Sequence, residues 1–114
     1  LIVERHFTKG NPELIRLCGL ARELYNRANF IMRRSWFSQK HVQGFRSMPG
    51  INVLLAETRD LPCSRDFGNT KISKQVIRRV LTDWSNFYKA LRTFKQDPSK
   101  FDRRPRPPKY KEDL

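Results

Sequence analysis

Between Pro12 and Phe37 the apolar residues Leu14, Leu17, Cys18, Ala21, Leu24, Tyr25, Ala28, Ile31 and Met32 recur at steps of three and four. Turned at about 100° per residue they gather on one side, so the spacing predicts an amphipathic helix with that side against a core. Asn11, Pro12 and Glu13 supply an N-cap, a first-position proline and a first-turn acid, which fixes where this helix begins. A second run, from about Lys71 to about Gln96, carries Ile72, Val76, Val80, Trp84, Phe87, Leu91 and Phe94 at steps of four and three. It is the clearest signal in the chain and predicts a second long helix, capped by Asn69 or Thr70 and ended by Asp97 and Pro98.

The segments around these helices read differently. Leu1 to Thr8 is β-favouring and stops at the turn formers Lys9 to Pro12, which predicts an edge-like strand. Ser38 to Gly50 is polar and broken by Gly44, Pro49 and Gly50, the pattern of a loop or frayed helix end, while Ile51 to Thr58 suits a short helix. Asp60 to Asn69, with Pro62 and Gly68, reads as another loop. The last 17 residues, Pro98 to Leu114, hold four prolines and six Lys or Arg, so they are expected to be extended and non-helical. The fold class that follows is mainly α. It is a small bundle of two long antiparallel helices and a short one, with an N-terminal β-strand and an extended Pro/Arg/Lys-rich tail. No internal repeat is visible, and 114 residues suit a single core.

Charge narrows the function. Twenty-four Lys and Arg against 11 Asp and Glu give a formal +13, which repels itself unless a polyanion is near. Thirteen aromatic residues supply apolar surface for a modest core, which argues against wholesale disorder. No apolar run is long enough for a membrane span and no signal peptide opens the sequence, so the chain is expected to be soluble and intracellular. Two cysteines make no disulfide framework, and Cys18 is expected to be a buried free thiol. His6 and His41 lack ligand-spaced neighbours, and the scattered acids form neither a catalytic pair nor a metal cluster, so no cofactor and no complete catalytic site are expected.

The cations are not scattered. Seven Lys or Arg and one acid, Asp83, lie between Lys71 and Lys95, and Lys71, Lys74, Arg78, Lys89 and Arg92 fall on one side of the wheel away from the apolar line. A solvating face normally mixes signs, so this imbalance points to phosphate contacts. Lys71 and Gln75, one turn apart, can reach base edges, the Lys at guanine or thymine and the Gln at adenine. Arg16, Arg27 and Arg34 make the outside of the first helix basic, with Arg22 and Arg33 on its flank. Arg103, Arg104, Arg106, Lys109 and Lys111 give the tail the charge to follow a phosphate backbone. Trp84 and Phe87 belong to the apolar line and read as core rather than as a stacking platform; Tyr25 reads as core too, Asn26 as a buried polar group or a nucleic-acid contact, and Tyr110 as a freer aromatic.

In order along the chain, LIVERHFTK followed by Gly10, Asn11 and Pro12, then Leu24-Tyr25-Asn26 and Arg33, then Lys71 to Val76 (KISKQV), Trp84 to Leu91 (WSNFYKAL) and Pro98 to Lys111 (PSKFDRRPRPPKYK) resemble the N-terminal part of the OrfB/TnpB transposon-encoded proteins. That family comprises RNA-guided DNA endonucleases related to the type V CRISPR effectors. The resemblance implies that residues 1–9 are a strand of a wedge β-barrel, residues 10–97 a helical recognition domain, and residues 98–114 a basic tail returning to that barrel. It implies guide RNA and target DNA as partners, with Lys71 and Gln75 reading the motif beside the target. It also implies a monomer held in the cytoplasm at a prokaryotic nucleoid, joined to the rest of the parent nuclease. The RuvC-like nuclease and zinc ribbon of the family would lie outside this segment, so cleavage is not expected of it. The match is poor from Ser38 to Asn69, and strand and tail, without their barrel, are expected to be loose. Two other readings compete: a freestanding helix-turn-helix regulator, which needs a turn of about three to four residues before its recognition helix, and a protein-interaction domain whose basic surface meets acidic partners.

Overall fold

A computed structural model describes residues 11–39, 46–68 and 70–112. The expected N-terminal strand lies outside the described residues, as does Asn69. The described chain is mainly helical: α1 spans Pro12–Ser38, α2 Ile51–Thr58, α3 Pro62–Arg65 and α4 Thr70–Gln96, followed by a 3-10 turn at Pro98–Lys100. No strand occurs among the described residues.

The start of α1 follows its sequence signals. Asn11 Oδ1 accepts from the Glu13 and Leu14 amides at 2.9 and 3.3 Å, so two of the unpaired first-turn donors are satisfied by one side chain. α4 begins at Thr70, which is therefore inside the helix rather than its cap, and ends before Pro98 as its sequence requires. The segment Asp60 to Asn69 is not wholly a loop. Pro62 starts the single turn of α3, Cys63 and Phe67 are buried, and Gly68 closes the turn at φ +68°, a left-handed conformation that disfavours any residue with a Cβ.

The two long helices run in the same direction, not antiparallel. Near the start of each, Arg16 of α1 reaches the Asp66 carbonyl at 3.3 Å and Ser73 of α4 reaches the Ser64 carbonyl at 3.2 Å, which puts both beginnings beside α3. Near the end of α1, Trp36 packs on Trp84, Phe87 and Tyr88 in the later part of α4. Antiparallel packing is the rule when a short loop joins neighbouring helices. Here the connection carries its own helix, α2, which takes the chain back along the bundle before α4 starts.

The core is the seam between these helices. α1 contributes Leu24, Tyr25, Ala28, Asn29 and Met32, α2 contributes Leu54 and Thr58, α3 contributes Cys63, and α4 contributes Ser73, Ile77, Val80, Trp84, Phe87 and Leu91. The α4 row differs from the expected apolar line in its first half, because Ile72 is 38% exposed and Val76 only half-buried. Successive steps of four drift around a helix by about 40° each, whereas alternating steps of four and three hold one face, and 73, 77, 80, 84, 87 and 91 do the latter. Ser73 fits there because a small residue whose hydroxyl bonds the Ser64 carbonyl lets α3 come close. Cys63, not Cys18, is the buried thiol; Cys18 is half-buried. Burial pushes the Cys63 thiol up from its ordinary range, with Glu23 adding to the effect.

Trp36, Trp84, Phe87 and Tyr88 form an aromatic cluster with ring centroids 5.2–6.0 Å apart. Such tilted and edge-to-face pairs are worth about 0.5–1.5 kcal/mol each beyond the area they bury. Trp84 is fully buried and its indole N–H donates to Asn29 Oδ1 at 2.7 Å, so the largest side chain of the core leaves no polar atom unpaired.

Candidate nucleic-acid interface

Three groups of charged and polar side chains can be followed outward from this core. The first is the basic row of α4. Lys74, Arg78, Lys89 and Arg92 are exposed, and none of them has an acidic partner among the described residues, where the ion pairs are Glu13–Arg16 and Arg79–Asp83. With successive gaps of four, eleven and three positions, they share one side of the helix. Lys71 and Gln75 are exposed one turn apart at its beginning. Arg79, at 3.4 Å from Asp83, is drawn out of this set towards the α1 side of the helix.

The second group joins α1 to the tail, and here the structure departs from the expectation of a loose, backbone-tracking arm. The Asn26 side chain accepts from the Lys111 amide at 2.7 Å and donates to the Lys111 carbonyl at 2.9 Å, so one carboxamide pairs with a tail peptide much as a neighbouring strand would. Asn29 Nδ2 and Arg33 both donate to the Pro108 carbonyl, at 3.1 and 2.8 Å, and Arg22 donates to the Glu112 carbonyl at 3.1 Å. The tail therefore descends α1 from Arg33 to Arg22. Prolines explain why it accepts this arrangement: they remove donors and set φ, so the carbonyls stand ready for side chains of α1. A similar carboxamide clamp appears at the loop before α2, where Gln39 donates to the Ser47 carbonyl at 2.8 Å and accepts from its amide at 2.9 Å.

The third group lies between α4 and the tail. Tyr25 Oη donates to Asp83 at 2.6 Å, and burial first, then this hydrogen bond, pushes the Tyr25 phenol well above its ordinary value. Beside it an open groove of about 520 Å3 is lined by Asn86, Phe87 and Ala90 on one side and by Arg106, Lys109 and Tyr110 of the tail on the other.

The basic residues expected from sequence thus divide. Arg27, Arg34, Arg103, Arg104, Arg106 and Lys109 are exposed like the α4 row. Arg16 is tied to Glu13 at 2.7 Å and to the Asp66 carbonyl; the Arg16 hydrogen bond holds the Glu13 carboxyl below its usual range. Lys111 is half-buried with its ammonium 5.1 Å from the Tyr25 ring, a cation–π contact rather than an outward charge. Trp84 and Phe87 are core, as their periodicity predicts. Asn29 and the clamp role of Arg33 were not anticipated; an Asn one residue beyond Ala28 on a core face was the available signal. Among the described residues no group of His, Cys, Asp or Glu is placed to hold a metal ion, and no helix is long and apolar enough to cross a membrane. Comparison with protein-family models, with curated proteins and with solved structures finds no match.

Proposed function

We propose that this chain binds nucleic acid as the N-terminal recognition segment of a TnpB-like RNA-guided DNA nuclease, through the basic row of α4. The observation that carries the proposal is the set of four exposed cations, Lys74, Arg78, Lys89 and Arg92, on one side of a helix whose only acid is directed to Tyr25 and Arg79. Such a row repels itself in isolation and gains from phosphates. Lys71 and Gln75 stand at the same helix start and are assigned to base edges, the role that the KxxxQ resemblance gives them. Arg27, Arg34 and the exposed tail cations add non-specific affinity. No cleavage, metal or cofactor is assigned to the chain.

Binding of labelled DNA duplexes and RNA at several salt concentrations tests this reading. Replacing Lys74, Arg78 and Arg92 together by Glu is expected to weaken binding to every sequence and to flatten its salt dependence, while unchanged binding would remove the row from the site. Gln75→Ala is expected to relax sequence preference more than it lowers non-specific affinity, and a uniform loss would count against base reading. Binding to an acidic protein, with no affinity for either nucleic acid at any salt concentration, would favour an interaction domain instead.

A further inference from the structure

α1 carries a second exposed basic surface whose composition differs from that of the α4 row. Asn26, Phe30, Arg33, Arg34 and Phe37 follow one another at helical spacing on the side of α1 turned away from Leu24, Ala28 and Met32. Phe30 is 51% exposed, and Tyr110, which the clamped tail brings alongside, is 45% exposed. Guanidinium groups lie against these rings. Arg34 is 5.5 Å from the centre of Phe30, and Arg33 is 5.4 Å from Tyr110 and 5.3 Å from Phe37. Next to Phe30 a depression of about 380 Å3 is lined by Arg22, Glu23, Asn26 and Arg27.

The chemistry selects an occupant. A protein docking on an apolar patch wants few charges at its centre, whereas here every exposed ring is paired with a cation. A duplex presents phosphates outside and keeps its bases stacked inside, so it uses the arginines and leaves the rings idle. Unpaired bases use both: each has a π-face to lie on an aromatic ring, and the connecting phosphates meet the guanidinium groups. We infer that the outer face of α1, with Tyr110 of the tail, is a stacking site for single-stranded nucleic acid, separate from the phosphate-binding row of α4. The inference rests on the nucleic-acid reading given above and adds to it the strand state of the ligand. It also gives the clamps a purpose, because Asn26, Asn29 and Arg33 hold Tyr110 at the height of Arg33 instead of leaving it on a free tail.

The test compares a short labelled mixed-sequence single strand with the corresponding duplex, using the full chain and the variants Phe30→Leu, Tyr110→Leu and Phe30→Tyr. Leucine keeps apolar area but has no π-face, and both positions are exposed, so thermal melting is expected to be unchanged. Each leucine variant should lose about tenfold in single-strand affinity, Phe30→Tyr should keep it, and duplex binding should stay as it was. Single-strand binding that the leucine variants leave intact, or an equal loss on duplex and single strand, overturns the stacking site alone. Binding of neither ligand by the unaltered chain overturns it together with the α4 reading. Self-association that Phe30→Leu weakens, without a single-strand effect, would assign the face to a second copy and likewise overturn the inference.

Discussion

α1 and α4 are the same length and both read as amphipathic basic helices, yet they use their polar residues in opposite ways. On α1, Arg16 is tied to Glu13, Arg22 and Arg33 hold tail carbonyls, and Asn26 and Asn29 pair with the tail and with Trp84. On α4, Lys74, Arg78, Lys89 and Arg92 are directed to solvent with no acidic partner among the described residues. The difference teaches that a basic helix face has two physical meanings. A guanidinium beside a carbonyl-rich, donor-poor strand such as a proline tail becomes structural, whereas cations on a helix face that no such strand covers remain available to a polyanion.

Substitutions at the α1 residues that hold the tail or α4 should therefore damage the fold, in proportion to how deeply each group is buried. Asn29→Ala leaves the buried Trp84 indole N–H without its acceptor, while the Pro108 carbonyl keeps its bond from Arg33, and is expected to cost about 1–3 kcal/mol in denaturant unfolding. A loss near zero would mean that Asn29 is not the hinge between core and tail. Tyr25→Phe removes the bond to Asp83, a charged acceptor, and should cost about 1.5–2 kcal/mol near neutral pH. Its pH signature gives a sharper check. Because the Tyr25 phenol is raised, the unfolded chain releases that proton first, so the stabilisation is complete below the ordinary phenol value of about 10 and is lost as pH climbs from there towards the folded-state value. Tyr25→Phe should accordingly show a shallower alkaline decline than the parent. Asn26→Ala, which touches a half-buried clamp, should cost about 1 kcal/mol and speed hydrogen exchange at the Lys111 amide while leaving helix content as it was. Slow exchange at Lys111 in that variant would mean that the tail is held by other contacts.

Much of the fold was readable because its determinants are local. The Asn11 cap, Pro12, the Pro98 stop and the three-to-four periodicity sit within a few residues of what they control, so both long helices emerge with nearly their observed limits. Relative direction was not readable, since it depends on α2 and α3 returning the chain through a segment with weak periodicity. The misplacement of Ile72 and Val76 has a related origin. An apolar residue is the default guess for a core position, and only the packing of α3 against Ser73 shows why a serine takes it. In the candidate site, the α4 row was legible as an excess of one sign along one face. The tail clamp was not, because Asn26 and Lys111 are far apart in sequence and a carboxamide that pairs with a peptide looks, in sequence, like any surface Asn.

The contrast between the helices reduces to one quantity, the slope of log affinity against log salt for a DNA duplex. Each phosphate contact removed lowers that slope by about 0.9. Replacing Lys74, Arg78 and Arg92 together by Ala should reduce it by nearly three such steps without changing the unfolding midpoint, whereas Arg16→Ala, at a residue bound to Glu13, should leave it where it was. Equal slopes for the parent and the triple variant, or a slope that Arg16→Ala lowers as much as an α4 substitution does, would contradict the assignment of α4 as the phosphate-binding surface.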